Sequence, residues 1–167
     1  MFGRIVRGMA YPFGTFNDNL VSLLKSCGVV YARTVESHHG FDMPKDWMRL
    51  GATCHHKDPE LMNLAKTFLE TEPRLDPFLF YLWGHSYEFD LDHNWEVIEE
   101  FLALMANHEE VWYATNIEIY EYTRAYESLI FSGDGNLICN PTSTTVWLCV
   151  DRETIKVPNG QTISING

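Results

Sequence analysis

The apolar positions of the chain follow two rhythms in alternation. Short unbroken runs, "RIVRGMAYP", "GVVYARTV", "FLFYLWG" and "VWYATN", read as strands covered on both sides, since a strand buried on one face would alternate apolar and polar residues. Between them apolar residues recur three and four apart. Asn17 caps a helix with Leu20, Val21, Leu23 and Leu24 on its apolar face, and Asp58 and Pro59 open a second with Leu61, Leu64, Ala65, Phe68 and Leu69. Asn94 starts a third that buries Trp95, Ile98, Leu102 and Met105, and Thr115 with Glu118 forms a capping-box pair for a fourth that runs to about Phe131. A long polar and aromatic loop from Glu36 to Trp47 precedes a short strand around "RLGATC". Strand, helix, strand, helix in this order predicts a parallel α/β fold.

The character changes after "SGDGN". "LICNP", "TVWLCVD" and "TIKVPNGQTISI" are strand-like pieces separated by Asn-Pro and Asn-Gly turns. They predict a small β appendage over residues 133–167, behind an α/β part over residues 1–132.

With 167 residues, 46% of them hydrophobic, the chain can bury one ordinary core. A net charge of -11 argues against nucleic acid and anionic membranes as partners, because Lys and Arg to neutralise phosphates are few and scattered. No stretch approaches transmembrane length, and the opening "MFGRIVRGMAYPFG" has no apolar core followed by a cleavage site, so a soluble, unprocessed chain is expected. The 14% aromatic content suits flat sugar rings or bulky apolar ligands. Cys27, Cys54, Cys139 and Cys149 make no C-x-x-C pair, which removes zinc-knuckle and thioredoxin readings. Cys27, after the apolar helix positions, and Cys149, in "TTVWLCV", are expected to be buried thiols.

In parallel α/β folds functional groups collect at the carboxyl ends of strands. Four places qualify: Tyr11 to Gly14, Asp46 with Trp47, Thr53 to His56, and His85 to Glu88. Each has a plainer alternative. "YPFG" is equally a turn, Asp46 with Trp47 a turn with a packed indole, and His85 a strand-end residue bonded to backbone. Neighbouring histidines on an extended strand point to opposite faces, so at most one of His38 and His39, and one of His55 and His56, is expected in a shared cavity. A metal site rebuilt from His55 or His56 with His85 needs a geometry that spacing does not supply. The sequence has no G-x-S-x-G elbow, P-loop, G-x-G-x-x-G or H-E-x-x-H.

Taken in order, "RGMAYPFGTFND", "YARTVES", "DW", "TCHH", "FLFYLWGHSYEFD", "NWEVIEEF" and "VWYATNIEIYEY" resemble the C-terminal part of polysaccharide deacetylase (NodB-homology) proteins, from Gly3 to roughly Ser132. The tail after Asp134 resembles an extension of some bacterial members. The resemblance implies an incomplete irregular (β/α) barrel and metal-dependent hydrolysis of acetyl groups from acetylated carbohydrate, with a divalent metal, usually zinc, polarising the acetyl carbonyl and activating water. It implies His85 as the catalytic proton donor and Asp46 as the carboxylate that tunes it. Tyr11, Pro12 and Phe13 would wall the substrate groove, with Ala10 where other members have arginine, and Trp47 would line the sugar site. Trp83 and Tyr87 complete the aromatic groove, and His55 and His56 are the candidate metal ligands within the chain. The family's Asp-Asp and His-x-x-x-His motifs precede its "YPFG" strand, and neither pattern occurs in this sequence. The resemblance therefore implies a fragment that is inactive alone, open to self-association or to docking with a missing N-terminal half. The alternative is a non-catalytic carbohydrate-binding or interaction module.

Overall fold

The computed structural model describes residues 3, 5–73 and 76–165. The chain forms two compact units, Met1–Tyr113 and Ala114–Gly167.

The first unit begins with β1 (Gly8–Ala10), whose partner is β2 (Tyr31–Ser37), and the two run parallel. Helix α1 (Asp18–Ser26) connects them, started by Asn17, whose side chain accepts the Leu20 N–H at 2.9 Å. The segment Leu50 to His55 is one extended stretch that changes partners. Its first part, β3 (Leu50–Ala52), pairs parallel with β2, and its second, β4 (Cys54–His55), pairs parallel with β5 (Leu82–Trp83). Helix α2 (Leu61–Glu70) links β4 to β5, and α3 (Ser86–Asp92) and α4 (Trp95–Met105) follow. Alternation and parallel pairing agree with the predicted α/β order. Among the described residues the strands form small sheets that do not close into a barrel.

Two apolar clusters hold this unit. Val21 of α1 packs with Tyr11, Ala32 and Met48, while Leu61 and Ala65 of α2 meet Phe101 and Met105 of α4 over Cys54. The face of α4 keeps Ile98 and Met105 against the core as predicted and adds Phe101, whereas Trp95 and Leu102 are exposed. Only Leu82 and Trp83 of the apolar run from Phe78 are in a strand, and Val111 to Thr115, also predicted as a strand, is irregular. There Tyr113 Oη donates to the Met105 carbonyl at 2.6 Å and accepts the His108 N–H at 3.0 Å, closing a turn after α4. No helix among the described residues is long and apolar enough to cross a membrane.

The second unit joins α5 (Asn116–Glu127) to five short strands, β6 (Ile130–Phe131), β7 (Leu137–Cys139), β8 (Val146–Val150), β9 (Glu153–Val157) and β10 (Thr162–Ser164). The capping pair is present, with Glu118 accepting the Thr115 N–H at 2.8 Å, but the helix stops at Glu127 rather than near Phe131. Ala125 and Leu129 pack with Ile138, Val146, Leu148 and Val157. The packing boundary at Tyr113/Ala114 thus lies before the 132/133 change in sequence character, and α5 supplies the apolar face that the β segment covers. Cys27 and Cys149, expected to be buried, are exposed. Cys27 follows the last turn of α1, and Cys149 lies on the outward phase of β8, where burial alternates. Cys54 is buried, which pushes its thiol pKa up to about 11.

Candidate functional site

The carboxyl ends of β4 and β5 bring four chemistry-bearing side chains onto one carboxylate. His85 ends the extended stretch after β5 and stands as the N-cap of α3, and Glu88 one turn later reaches back to accept the His85 N–H at 3.2 Å. The same oxygen, Glu88 Oε2, lies 3.2 Å from His85 Nδ1, 3.3 Å from His55 Nε2 and 3.7 Å from His56 Nε2. The other oxygen, Oε1, is 3.3 Å from Lys57 Nζ, which also pairs with Asp92 at 2.6 Å.

Both histidines of "TCHH" therefore face one group, against the alternation expected of a strand. The physical reason is that β4 ends at His55: the chain turns at His56 and Lys57, with the Asp58 N–H returning to the His55 carbonyl at 2.9 Å. The two imidazole rings lie 4.3 Å apart. His56 is 3% exposed and packs against Phe89 of α3. Gly84 makes room for it, because a Cβ there would stand 1.8 Å from His56 Nδ1. The His56 Nε2 is buried without a hydrogen-bond partner.

Electrostatics follow from this packing. Burial lowers the pKa of His55, and burial together with the neighbouring His55 lowers that of His56, so both favour the neutral imidazole. Burial works to raise Glu88, but hydrogen bonds from Lys57 and His85 outweigh it and hold the carboxyl at about 2. The site is thus an ionised carboxylate beside two imidazoles, His55 and His56, whose burial disfavours their charged form.

Aromatic groups flank it. His55 meets the Trp83 ring edge to face at 4.4 Å, and His85 lies 6.0 Å from Trp83 and 5.2 Å from Tyr87, centroid to centroid. The Arg33 guanidinium covers the Trp83 ring at 4.4 Å. His85 itself is 47% exposed in its side chain.

The remaining candidates sit elsewhere in this unit. Tyr11 is 2% exposed, and its hydroxyl donates to the Met48 carbonyl at 2.8 Å, so it is a core residue rather than an open groove wall. Pro12 is exposed, and Phe13 is 98% exposed with a left-handed φ of 56°, a backbone uncommon for a bulky residue. Asp46 accepts the Met48 N–H at 2.9 Å and pairs with the Arg49 guanidinium, which also reaches Asp18. Burial opposes its charge, but Arg49 outweighs burial and lowers its pKa. The carboxylate on His85 is accordingly Glu88, and Asp46 caps the short turn that carries the partly buried Trp47. A shallow cleft of about 380 Å³ beside Asp46 is lined by Glu36, His38, Lys45 and Tyr81 among others, and none of the Glu88 cluster lines it.

Glu88 enters the sequence reading only as the end of the His85–Glu88 stretch, with no role of its own. Its signal is the His-x-x-Glu spacing at a helix start, which has the form of a capping pair and carries no mark of His55 or His56. A scan against family models matches none, and searches among curated proteins and solved structures return no significant match either.

Proposed function

We propose that this chain contributes the proton-donating half of a carbohydrate deacetylase site, removing acetyl groups from acetylated sugars. The observation that carries the reading is His85, half-exposed at the end of β5, fixed through Nδ1 to Glu88 and set between Trp83 and Tyr87. With Nδ1–H donating to Glu88, the ring in its doubly protonated form gives the Nε2 proton to a leaving amine or alkoxide and is left as the neutral Nδ1–H imidazole. The aromatic faces suit the apolar face of a sugar ring. The ordered motifs from Gly3 to Ser132 support the same family reading and the barrel fragment that goes with it. The family's Asp-Asp and His-x-x-x-His ligands have no counterpart among these residues, so water activation at that metal is assigned to a segment that carries them.

Titration with N-acetylated chito-oligosaccharides, read by tryptophan fluorescence, tests the sugar site, and Trp83→Ala is expected to weaken binding about tenfold. Acetate release on adding a segment that carries both missing motifs tests the chemistry. His85→Ala should abolish release and leave binding intact. Absence of sugar binding overturns the reading. Sugar binding that survives chelation, with no acetate release in the complemented mixture, favours the non-catalytic binding module.

A further inference from the structure

His56 Nε2 is a buried donor or acceptor aimed at a carboxylate it does not reach. Glu88 Oε2, 3.7 Å away, is beyond hydrogen-bonding distance, while His55 Nε2 lies 3.3 Å from the same oxygen, at the long end of a hydrogen bond. The spacing fits a different purpose. A tetrahedral ion with bonds of about 2.0–2.1 Å holds its ligand atoms about 3.4 Å apart. The 3.3 and 3.7 Å separations bracket that edge, and one nitrogen from each ring and a Glu88 oxygen all lie within 4.8 Å of one another.

We propose that His55, His56 and Glu88 form a divalent transition-metal site within this chain, with zinc as the best-matched ion. Two imidazoles and one carboxylate make a three-ligand set with a fourth position left for water or substrate. Borderline ions such as zinc and cobalt take this mixture, whereas magnesium and calcium prefer oxygen throughout. Two features support the site beyond proximity. Lys57 holds Oε1, so Oε2, which also accepts from His85, is the oxygen turned toward the His55 and His56 rings, and Lys57 keeps Asp92 as a partner if Glu88 turns. Gly84 and Phe89 hold the His56 ring in place.

One arrangement has to change on binding. The Lys57 N–H donates to His55 Nδ1 at 3.1 Å, which puts the proton of neutral His55 on Nε2. Coordination through Nε2 moves that proton to Nδ1 and gives up this single neutral hydrogen bond. His85 bonds Glu88 from the exposed side and is not counted as a ligand.

The experiment uses the whole chain, stripped with a chelator and titrated with zinc alone by calorimetry, with cobalt(II) absorption reporting the geometry. One equivalent of zinc per chain and an intense visible cobalt band are expected. His55→Ala and Glu88→Gln should each weaken binding on the order of 100-fold, while His85→Ala and His39→Ala change it by less than tenfold. His55 is at the partly exposed edge and Glu88→Gln preserves shape, so both variants should keep the wild-type circular dichroism, which is checked in parallel. No stoichiometric binding at neutral pH overturns the proposal, as does binding unchanged by Glu88→Gln and His55→Ala. The titration uses no sugar and no turnover, so its failure is separate from failure of the deacetylase reading.

Discussion

Asn140 in the second unit and His56 in the first are both polar and both buried, and they treat burial in opposite ways. Asn140, 0% exposed, has every side-chain atom engaged: Nδ2 donates to the carbonyls of Thr144 at 2.8 Å and Val157 at 3.0 Å, and Oδ1 accepts from the N–H and hydroxyl of Thr142 at 3.0 and 2.7 Å. It ties the loop before β8 to the end of β9. His56 has its Nε2 without any such partner. A satisfied buried amide stabilises its fold, whereas an orphaned buried polar atom costs about 1–3 kcal/mol unless an ordered water or a bound ion partners it.

That contrast can be broken at either end. Asn140→Ala strands two carbonyls and two donors of Thr142 at once, and it is expected to destabilise the second unit by about 3 kcal/mol in urea unfolding. A loss below about 1 kcal/mol would show that the knot is not structural. Zinc affinity should not change in this variant. His56→Leu, of similar volume, removes the orphaned atom together with the polar ring. Unfolding of the metal-free protein should then be unchanged or up to about 1 kcal/mol more favourable to the folded state. A large loss of stability would mean that His56 has a structural partner after all.

The smallest effect is in pH dependence. Glu88 is held at about 2, below the ordinary carboxylate value, so its stabilisation is fully present above that ordinary value and is lost as pH falls toward 2. His55 and His56 are also lowered, so their contribution is present above the ordinary histidine range and is lost as pH falls through their depressed values. The groups facing them are His85, Lys57 and Glu88. Unfolding free energy measured against pH should therefore decline in two stages on acidification, and Glu88→Gln should reduce the lower stage, to which Asp46 and Asp58 also contribute.

Local rules were readable in the sequence because they act over three or four residues. Asn17 caps α1 and the Thr115–Glu118 pair starts α5 for reasons contained in a single turn of chain. The apolar face of α2 is likewise where its spacing puts it, with Leu61 and Ala65 buried. Runs without periodicity were less legible. Val111 to Thr115 looks like a strand by composition, yet Trp112 and Tyr113 are largely exposed and the segment closes a turn instead. Helix α3 has seven residues and one buried position, Phe89, too few to leave a helical rhythm.

The sequence by itself determined most of the order of strands and helices, apart from the irregular segment at Val111, and the β character of the last segment, since hydrophobic periodicity and capping are properties of neighbouring residues. It also placed His85 at the end of an apolar run. Only the tertiary structure decided that both histidines of "TCHH" face the carboxylate that caps His85, and that the Tyr11 hydroxyl is occupied elsewhere. Those outcomes depend on where β4 stops and on how α3 folds back across the end of the strands. The pairings of His55 and His56 with Glu88 join residues more than 30 positions apart, and no local pattern along the chain encodes them, whereas His85–Glu88 and Asp46–Arg49 are contacts within one turn.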